Sequence, residues 1–230
     1  MRIIRAGEHI QYIPGYGISV RESGVAVATS NWWEVPGKTC VAAYQPKGAA
    51  SYAASKVNLA NPGTYDATDG ASYPTWAAAT GWTFNGSSQY LVSFQPDGTS
   101  DYTVVARVLW TSGNGFAFGS RSGTIRGPSV QPAWQTLNPA FYYGNVGIGG
   151  SSVASNNGVY AVTKAFGYYN GAESVAINST VVPPALALFI GRLNYTTPSY
   201  YTGSIQAIAI WVGTLTTAQI QAVSTAMAAL

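Results

Sequence analysis

The clearest alternation of residues in the chain lies between Asp101 and Trp110. In an extended strand, successive side chains point to opposite faces, so this segment presents two separate sets of residues. One set is Tyr102, Val104, Ala106, Val108 and Trp110, and the other is Thr103, Val105, Arg107 and Leu109. Because neither set is wholly polar, the pattern predicts an inner strand of a sheet.

Further strands are predicted where short apolar runs are separated by Gly, Asn and Pro. They lie at Cys40–Tyr44, Gly115–Gly119, Ala140–Tyr143, Val146–Ile148, Val159–Tyr169, Glu173–Ile177, Leu186–Arg192 and Gly203–Trp211. The segment 81–92 predicts two more strands joined by a tight hairpin turn at Asn85-Gly86, a dipeptide that adopts positive φ readily. Short strands at this spacing predict an all-β fold, a two-sheet antiparallel β-sandwich.

A short helix is predicted at the C-terminal end of the chain. Thr216 and Gln219 have the spacing of a capping box, and Leu215 and Ile220 occupy the positions of a hydrophobic staple. Apolar side chains then recur at helical spacing on one face. They are Ile220, Val223, Met227 and Leu230. We therefore expect this helix to lie against the sandwich edge.

Residues 1–38 differ from the rest of the chain. Strand-like pieces at Arg2–Ile4 and Gly17–Arg21 are interrupted by Pro14 and Gly15. Two interpretations remain open: a docking arm, or additional strands at the sandwich edge. The sandwich domain itself is assigned to residues 39–230, and it includes a long loop-like stretch over 47–80, rich in Ala, Ser, Asn, Pro and Gly.

Composition narrows the possible partners. Charged residues make up 8% of the 230 residues, against about 25% in an ordinary soluble domain. The eleven Lys and Arg residues form no run that would follow a phosphate backbone, so we expect no nucleic-acid partner. No apolar run approaches the roughly 20 residues of a membrane span, and the first ten residues lack the pattern of a signal peptide. We expect a protein made in the cytoplasm, without membrane insertion.

Three segments resemble the laminin-G-like, concanavalin-A-like jelly-roll family. They read GWTFNGSSQYL at 81–91, DYTVVARVLW at 101–110 and YTGSIQAIAIWVGTLTTAQIQAVSTAM at 201–227. The run VAAYQPKGAASYAASKVNLANPGTYD at 41–66 further resembles laminin-G-like modules of bacteriophage structural proteins. The resemblance implies a jelly-roll sandwich and a virion protein assembled in the host cytoplasm, either a capsid decoration protein or a tail-fibre or spike module. Such a protein would bind other virion proteins and itself, as a homo-oligomer.

The residues argue against catalysis. Some enzymes of the wider fold need two carboxylates across the scissile bond, and no strand here carries two acids at two-residue spacing. The single histidine, His9, lies in the N-terminal segment, away from any candidate nucleophile. We therefore expect no catalytic residues and no enzymatic activity.

The remaining chemistry concerns ligands. One histidine and one cysteine, Cys40, cannot supply a zinc site, and no cofactor is expected. Calcium would be possible through Asp97 and Asp101, although two acids are few for that cation. The alternative function is a lectin module that recognises cell-surface glycans, for which aromatic side chains beside polar groups are the candidates. These candidates are Tyr142, Tyr143, Tyr200 and Tyr201.

Overall fold

The computed structural model describes residues 8–13, 17–22, 31–135 and 137–230, and most of their regular structure is antiparallel strand. In chain order the strands are Glu8–Ile13 (β1), Gly17–Glu22 (β2), Cys40–Tyr44 (β3), Thr68–Asp69 (β4), Thr75–Ala77 (β5), Gly81–Asn85 (β6), Leu91–Val92 (β7), Tyr102–Ser112 (β8), Phe118–Gly119 (β9), Arg121–Ser122 (β10), Ile125–Gln135 (β11), Asn138–Gly144 (β12), Val146–Gly149 (β13), Gly158–Val162 (β14), Phe166–Tyr169 (β15), Ala172–Ala176 (β16), Phe189–Ile190 (β17) and Thr202–Val212 (β18). Two helices, Tyr52–Ser55 (α1) and Thr217–Ala228 (α2), complete the described structure.

Two eight-stranded sheets form the sandwich, which confirms the predicted fold class. The sheet that carries α2, named here the helix-side sheet, has the order β16-β15-β14-β8-β18-β6-β5, with β3 paired to β18. The other, named the facing sheet, has the order β13-β12-β11-β9-β17-β7-β4, with β10 paired to β11. No helix in the described part of the chain is long and apolar enough to cross a bilayer.

The centre of the helix-side sheet is the pair of β8 and β18, which run antiparallel over most of their length. Val104 opposite Ile210 faces the core between the two sheets. Val105 opposite Ala209 faces the other way, into a second apolar cluster beneath α2. Both faces of β8 are thus buried, as the sequence predicted for an inner strand.

Helix α2 covers the outer face of the helix-side sheet. Its buried side chains, Ile220, Val223 and Met227, pack in one cluster with the fully buried Trp211. The Arg107 side chain projects from β8 and donates 2.7 Å hydrogen bonds from Nη1 to the carbonyl oxygens of Met227 and Leu230. These bonds hold the C-terminal end of α2 against β8.

Strand β11 was not predicted from the sequence, because it contains Pro128 and Pro132. A proline has no amide proton and usually excludes an inner strand. The pairing of β11 with β12 shows register irregularities between Arg126 and Ser129 and again between Gln131 and Gln135. Each irregular step contains one of the prolines, so the ladder accommodates them without ending.

The predicted hairpin at Asn85-Gly86 is wrong. Strands β6 and β7 lie in different sheets, so the chain crosses from one sheet to the other instead of reversing within one. The local conformation was nevertheless predicted: Gly86 has φ of 74°, and a Cβ there would lie 2.0 Å from Thr202 Oγ1. The Asn85 side chain accepts hydrogen bonds from the amides of Ser87 and Ser88, which directs the crossover.

The long stretch over 47–80 contains α1 and the short strands β4 and β5. Hydrogen bonds of the Asn58 side chain, which is fully buried, hold this stretch in its conformation. Asn58 Oδ1 accepts from the amides of Ala43 and Ala60, and Nδ2 donates to the carbonyls of Val41 and Thr64. All the polar capacity of this amide is therefore used, as burial requires.

The chain divides into two compact units, residues 1–30 and residues 31–230. In the first unit β1 and β2 form an antiparallel hairpin, which confirms a strand at Gly17–Arg21; Arg2–Ile4 lies outside the described residues. In the second unit, Trp32 and Trp33 pack against the cluster beneath α2, while the assignment of the sandwich domain to residues 39–230 stays a prediction. Trp211 Nε1 donates a 3.0 Å hydrogen bond to the carbonyl of Trp33. A docking role for the first unit stays a prediction.

The capping box of α2 gives the first test. Thr216 Oγ1 accepts from the amide of Gln219, and Gln219 Oε1 accepts from the amide of Thr216. We expect Thr216→Ala to lower the free energy of unfolding by about 1 kcal/mol, because it removes the acceptor of the Gln219 amide. Thr225→Ala, the same change at an exposed position of the same helix, should have no destabilising effect. Urea denaturation measures both; equal losses would contradict the capping role.

Candidate functional site

Two of the four predicted ligand-binding tyrosines lie in the core. The side chains of Tyr143 and Tyr201 have no exposed surface. The hydroxyl of Tyr143 accepts a 2.9 Å hydrogen bond from the amide of Tyr102, and burial raises the pKa of both Tyr143 and Tyr201. The prediction is corrected for this pair: alternation along β12 turns the Tyr143 ring inward, the Tyr201 ring is buried in the core just before β18, and neither ring can contact a glycan.

Tyr200 is half-buried in an aromatic cluster around Arg192. The guanidinium carbon of Arg192 lies 4.5 Å from the ring centroid of Tyr90, 5.1 Å from that of Tyr200 and 5.3 Å from that of Phe189. Arg192 Nη1 also donates a 3.1 Å hydrogen bond to the hydroxyl of Tyr200. The rings surround a cation of the protein itself, so this cluster is accounted for by internal packing.

Tyr142 lies on the outer face of the facing sheet, and 9% of its surface is exposed. Its hydroxyl donates to Gln131 Oε1, and its ring contacts Phe116 at a centroid distance of 5.2 Å. The guanidinium carbon of Arg126 lies 4.3 Å from the centroid of the Tyr142 ring. Most of the ring surface is therefore already in contact with the protein.

The edge strand β13 determines how aromatic rings lie on this outer face. Gly147 and Gly149 alternate along β13, so both would direct a side chain to the same face. A Cβ at Gly147 would lie 2.4 Å from the Tyr142 ring, and one at Gly149 would lie 3.1 Å from the ring of Trp134. The two glycines thus leave the space in which these rings rest on the backbone of β13.

Trp134 borders a cleft of about 400 Å³. Its lining consists of Trp110, Gly113, Asn114, Ala133, Trp134 and Gln135. The Trp134 side chain is 44% exposed, while Trp110 is half-buried and donates a 2.8 Å hydrogen bond from Nε1 to the carbonyl of Gly113. The cleft therefore contains the exposed indole of Trp134, which rests on Gly149 of β13, a second indole and two amide side chains. We name this site the Trp134 cleft.

Two arginines occupy the other end of β11. Arg121 on β10 lies directly opposite Arg126 on β11. The guanidinium carbon of Arg121 lies 4.4 Å from the ring centroid of Tyr195. This contact resembles that of Arg126 with the Tyr142 ring, where the distance is 4.3 Å. Burial and, secondly, the charge of Arg121 lower the pKa of Arg126. We name Arg121 and Arg126 the arginine pair; neither forms an ion pair within residues 31–135 and 137–230.

The two acids considered for calcium already have partners in the protein. Asp97 accepts from the amides of Thr99 and Ser100, and these bonds lower its pKa. Asp101 forms a 3.0 Å ion pair with Lys164. Across the described residues, no three His, Cys, Asp or Glu side chains come together as metal ligands. The part of the chain that the structure describes therefore contains no such cluster of acidic side chains for calcium.

The cysteine is not activated for nucleophilic chemistry. Cys40 is half-buried on β3 and packs beside the cluster beneath α2. Burial raises the pKa of its thiol to about 12, so the thiolate is a very small fraction at neutral pH. Its role in the described structure is that of a small packing residue.

Comparison with known proteins shows the fold. No protein-family model matches the chain, and no curated protein matches it. Trypanosoma rangeli sialidase aligns with 82% of this chain at 16% identity and a TM-score of 0.57, but the chain spans 33% of the sialidase. Domain 4 of AbnA, a GH43 extracellular arabinanase from Geobacillus stearothermophilus solved in complex with arabinotriose, aligns over 81% of this chain and 98% of the domain, at 19% identity and a TM-score of 0.52.

The binding domain of botulinum neurotoxin DC, solved in complex with rat synaptotagmin II, aligns over 82% of this chain and 52% of its own, at 10% identity and a TM-score of 0.56. At these identities the likeness shows the β-sandwich alone. It agrees with the lectin-like jelly roll that the sequence resembles. The likeness to bacteriophage modules stays a prediction, since none of these neighbours is such a protein.

Sequence reasoning missed the Trp134 cleft. A signal was present in Trp134 and in the alternate glycines of β13, but Pro128 and Pro132 concealed β11, on which Trp134 lies. Placing Trp134 beside Asn114 required the three-dimensional path of the chain from the helix-side sheet to the facing sheet. No local pattern carries that information.

The alternate glycines give a stability test. We expect Gly147→Ala to lower the free energy of unfolding by about 1–3 kcal/mol, because its Cβ would overlap both the Tyr142 ring and Arg126 Nη1, 2.2 Å away. Gly149→Ala adds the same methyl group two residues away, where the nearest contact is 3.1 Å, and should cost clearly less. Denaturant unfolding compares them. A larger loss for Gly149→Ala would contradict the described packing.

Proposed function

We propose that this sandwich is a non-catalytic module that binds glycans at the Trp134 cleft. The observation that carries the proposal is the exposed Trp134 ring, supported from below by Gly149. A rigid aromatic platform offers a large apolar surface at low entropic cost, and it can stack against the C–H face of a sugar ring. Asn114 and Gln135 add amide donors and acceptors beside it, which suit the hydroxyl groups of a sugar.

The position of the cleft supports the same proposal. The Asn114 carbonyl accepts a 2.5 Å hydrogen bond from Gln131 Nε2, and Gln131 in turn accepts from the Tyr142 hydroxyl. Packed side chains and hydrogen bonds therefore fix the wall of the cleft before a ligand arrives. A site formed in advance loses less entropy on binding than a flexible one.

Two structural neighbours are consistent with this proposal because saccharide-containing molecules interact with them. Domain 4 of the arabinanase is described in complex with arabinotriose, and the alignment spans nearly the whole of that domain. Botulinum neurotoxin type C is described as depending on two ganglioside molecules for cell entry. In both cases a structural neighbour of this chain is associated with a saccharide-containing ligand.

The absence of catalysis is part of the proposal and rests on the carboxylates. Asp69 forms an ion pair with Lys56, Asp101 with Lys164, and Glu173 accepts from Thr217 Oγ1. None of these acids lines the Trp134 cleft, so the cleft lacks the pair of carboxyl groups that glycoside hydrolysis requires.

Substitution of the platform tests the proposal. On a glycan array, followed by calorimetric titration of the glycans that bind, Trp134→Ala should weaken binding at least tenfold because the stacking surface is lost. The matched control is Tyr73→Ala, which removes an aromatic ring that is 63% exposed and lies outside the cleft. Binding by Trp134→Ala that equals the wild type would exclude the cleft as the site.

Assembly is a second candidate, favoured by exposed apolar residues at one sheet edge. Trp134, Leu137 and Ile148 are 44%, 40% and 37% exposed, and β13 is the terminal strand of the facing sheet. Such an edge can pair with a second copy of the chain. Under this candidate the chain would be a homo-oligomeric structural protein of a bacteriophage-like virion, as the sequence resemblance implies. That role stays a prediction.

Light scattering tests the assembly candidate. If two copies associate through β13, the wild type should be oligomeric and Ile148→Asp should be monomeric, because the charge would be buried at the contact. Val212→Asp places the same charge at a position 36% exposed on the helix-side sheet and should leave the oligomer intact. A monomeric wild type would remove this candidate.

A further inference from the structure

The arginine pair is a feature that the stability of the sandwich does not explain. Arg121 and Arg126 are directly opposed cross-strand neighbours, where side chains are separated by about 5 Å. Two like charges in this position repel each other. The pairing therefore costs free energy in the unliganded protein, and an anion placed between the guanidinium groups would remove that cost.

No acid of the described sandwich neutralises this pair. Each acidic side chain there has a partner elsewhere in the structure. The contacts are Glu34 with Asn31, Asp66 with Asn58 and Gly63, Asp69 with Lys56, Asp97 with Thr99 and Ser100, Asp101 with Lys164, and Glu173 with Thr217. Positive charge is thus left uncompensated on one outer face of the facing sheet.

The guanidinium groups also retain unused hydrogen-bond donors. Among the described residues the Arg126 guanidinium donates no hydrogen bond. Its Nε is buried without a partner, whereas its two terminal nitrogens are not fully buried. Arg121 donates from Nε to the Gly123 carbonyl at 2.7 Å. The rings of Tyr142 and Tyr195 lie beside these groups and restrict their motion. Positioned guanidinium groups of this kind match the geometry of carboxylate and sulfate oxygens.

Strand β11 connects the arginine pair to the Trp134 cleft. Arg126 lies near its beginning and Gln135 at its end, a separation of at most about 30 Å at 3.3 Å per residue. Between them, the Tyr142 hydroxyl bonds to Gln131 and Gln131 bonds to the Asn114 carbonyl in the cleft wall. The same outer region of the molecule therefore offers an aromatic platform at one end and cationic donors at the other.

We propose that the arginine pair binds the carboxylate or sulfate group of an acidic glycan whose neutral part occupies the Trp134 cleft. This inference rests on the proposed glycan-binding function and specifies its ligand class. The ion contacts select acidic over neutral saccharides, while stacking at Trp134 supplies affinity common to both. The preference for acidic ligands decreases with added salt, because part of it is screened charge attraction.

An array that prints each acidic glycan beside its neutral counterpart tests the inference. The pairs are uronate oligosaccharides with their methyl esters, sialylated glycans with the desialylated forms, and sulfated glycans with the desulfated forms. We expect the wild type to bind the acidic member of at least one pair more than tenfold more tightly. Whether the preferred pair carries carboxylate or sulfate identifies the anion.

Charge-removing variants complete the experiment. Arg126→Gln and Arg121→Gln should each reduce the acidic preference at least tenfold and leave binding to neutral counterparts unchanged. Lys56→Gln removes the same charge from the Lys56–Asp69 ion pair and should preserve the preference, which excludes an effect of net charge. Thermal melting verifies that each variant is folded, and using both arginine variants protects the test if one of them is unstable.

The outcomes separate the two proposals. Equal binding of acidic and neutral counterparts by the wild type would overturn the inference and leave glycan binding intact. An acidic preference that survives in both arginine variants would also overturn it. Absence of binding to any printed glycan would overturn the inference together with the proposed function.

Discussion

The structure depends on the burial of both faces of the β8–β18 pair. One face meets the facing sheet across the core, and the other lies beneath α2, so neither strand has a polar side. Removal of this apolar surface from water is the dominant favourable contribution to folding. Thr103, one of the few polar residues on the pair, is fully buried and donates from Oγ1 to the Gly213 carbonyl, which ties β8 to the chain leading into α2.

This arrangement leaves the two sheets with different roles. The outer face of the helix-side sheet is occupied by α2 and by the Trp32–Trp33 segment. The facing sheet instead carries a small apolar cluster that includes Phe116, Tyr142 and Leu193, with arginines above its tyrosines. Function in a sandwich is placed on a surface that the core does not need. We propose that in this protein that surface is the outer face of the facing sheet together with Trp134 at its edge.

The sequence predicted the framework because the framework is encoded locally. Alternation along β8 and β18, and the capping box at Thr216, each depend on neighbours a few residues apart. The crossover after Asn85 was missed because the strands that pair with β6 and β7 are distant in sequence, and β11 was missed because Pro128 and Pro132 interrupt its pattern. The tyrosines were chosen by residue type, which does not show that Tyr143 on β12 and Tyr201 beside β18 both lie in the core. The candidate site arises from a strand-to-strand juxtaposition of Trp134 with Gly149 that no single segment contains.

The most direct measurement of the central claim is the indole N–H spectrum of the isotope-labelled protein, recorded with and without the tightest-binding oligosaccharide. The chain contains seven tryptophans, each assigned by a Trp→Phe variant. We expect the signals of Trp134 and Trp110 to shift on titration, and those of the buried Trp82 and Trp211 to stay unchanged. Shifts confined to tryptophans outside the cleft would contradict it.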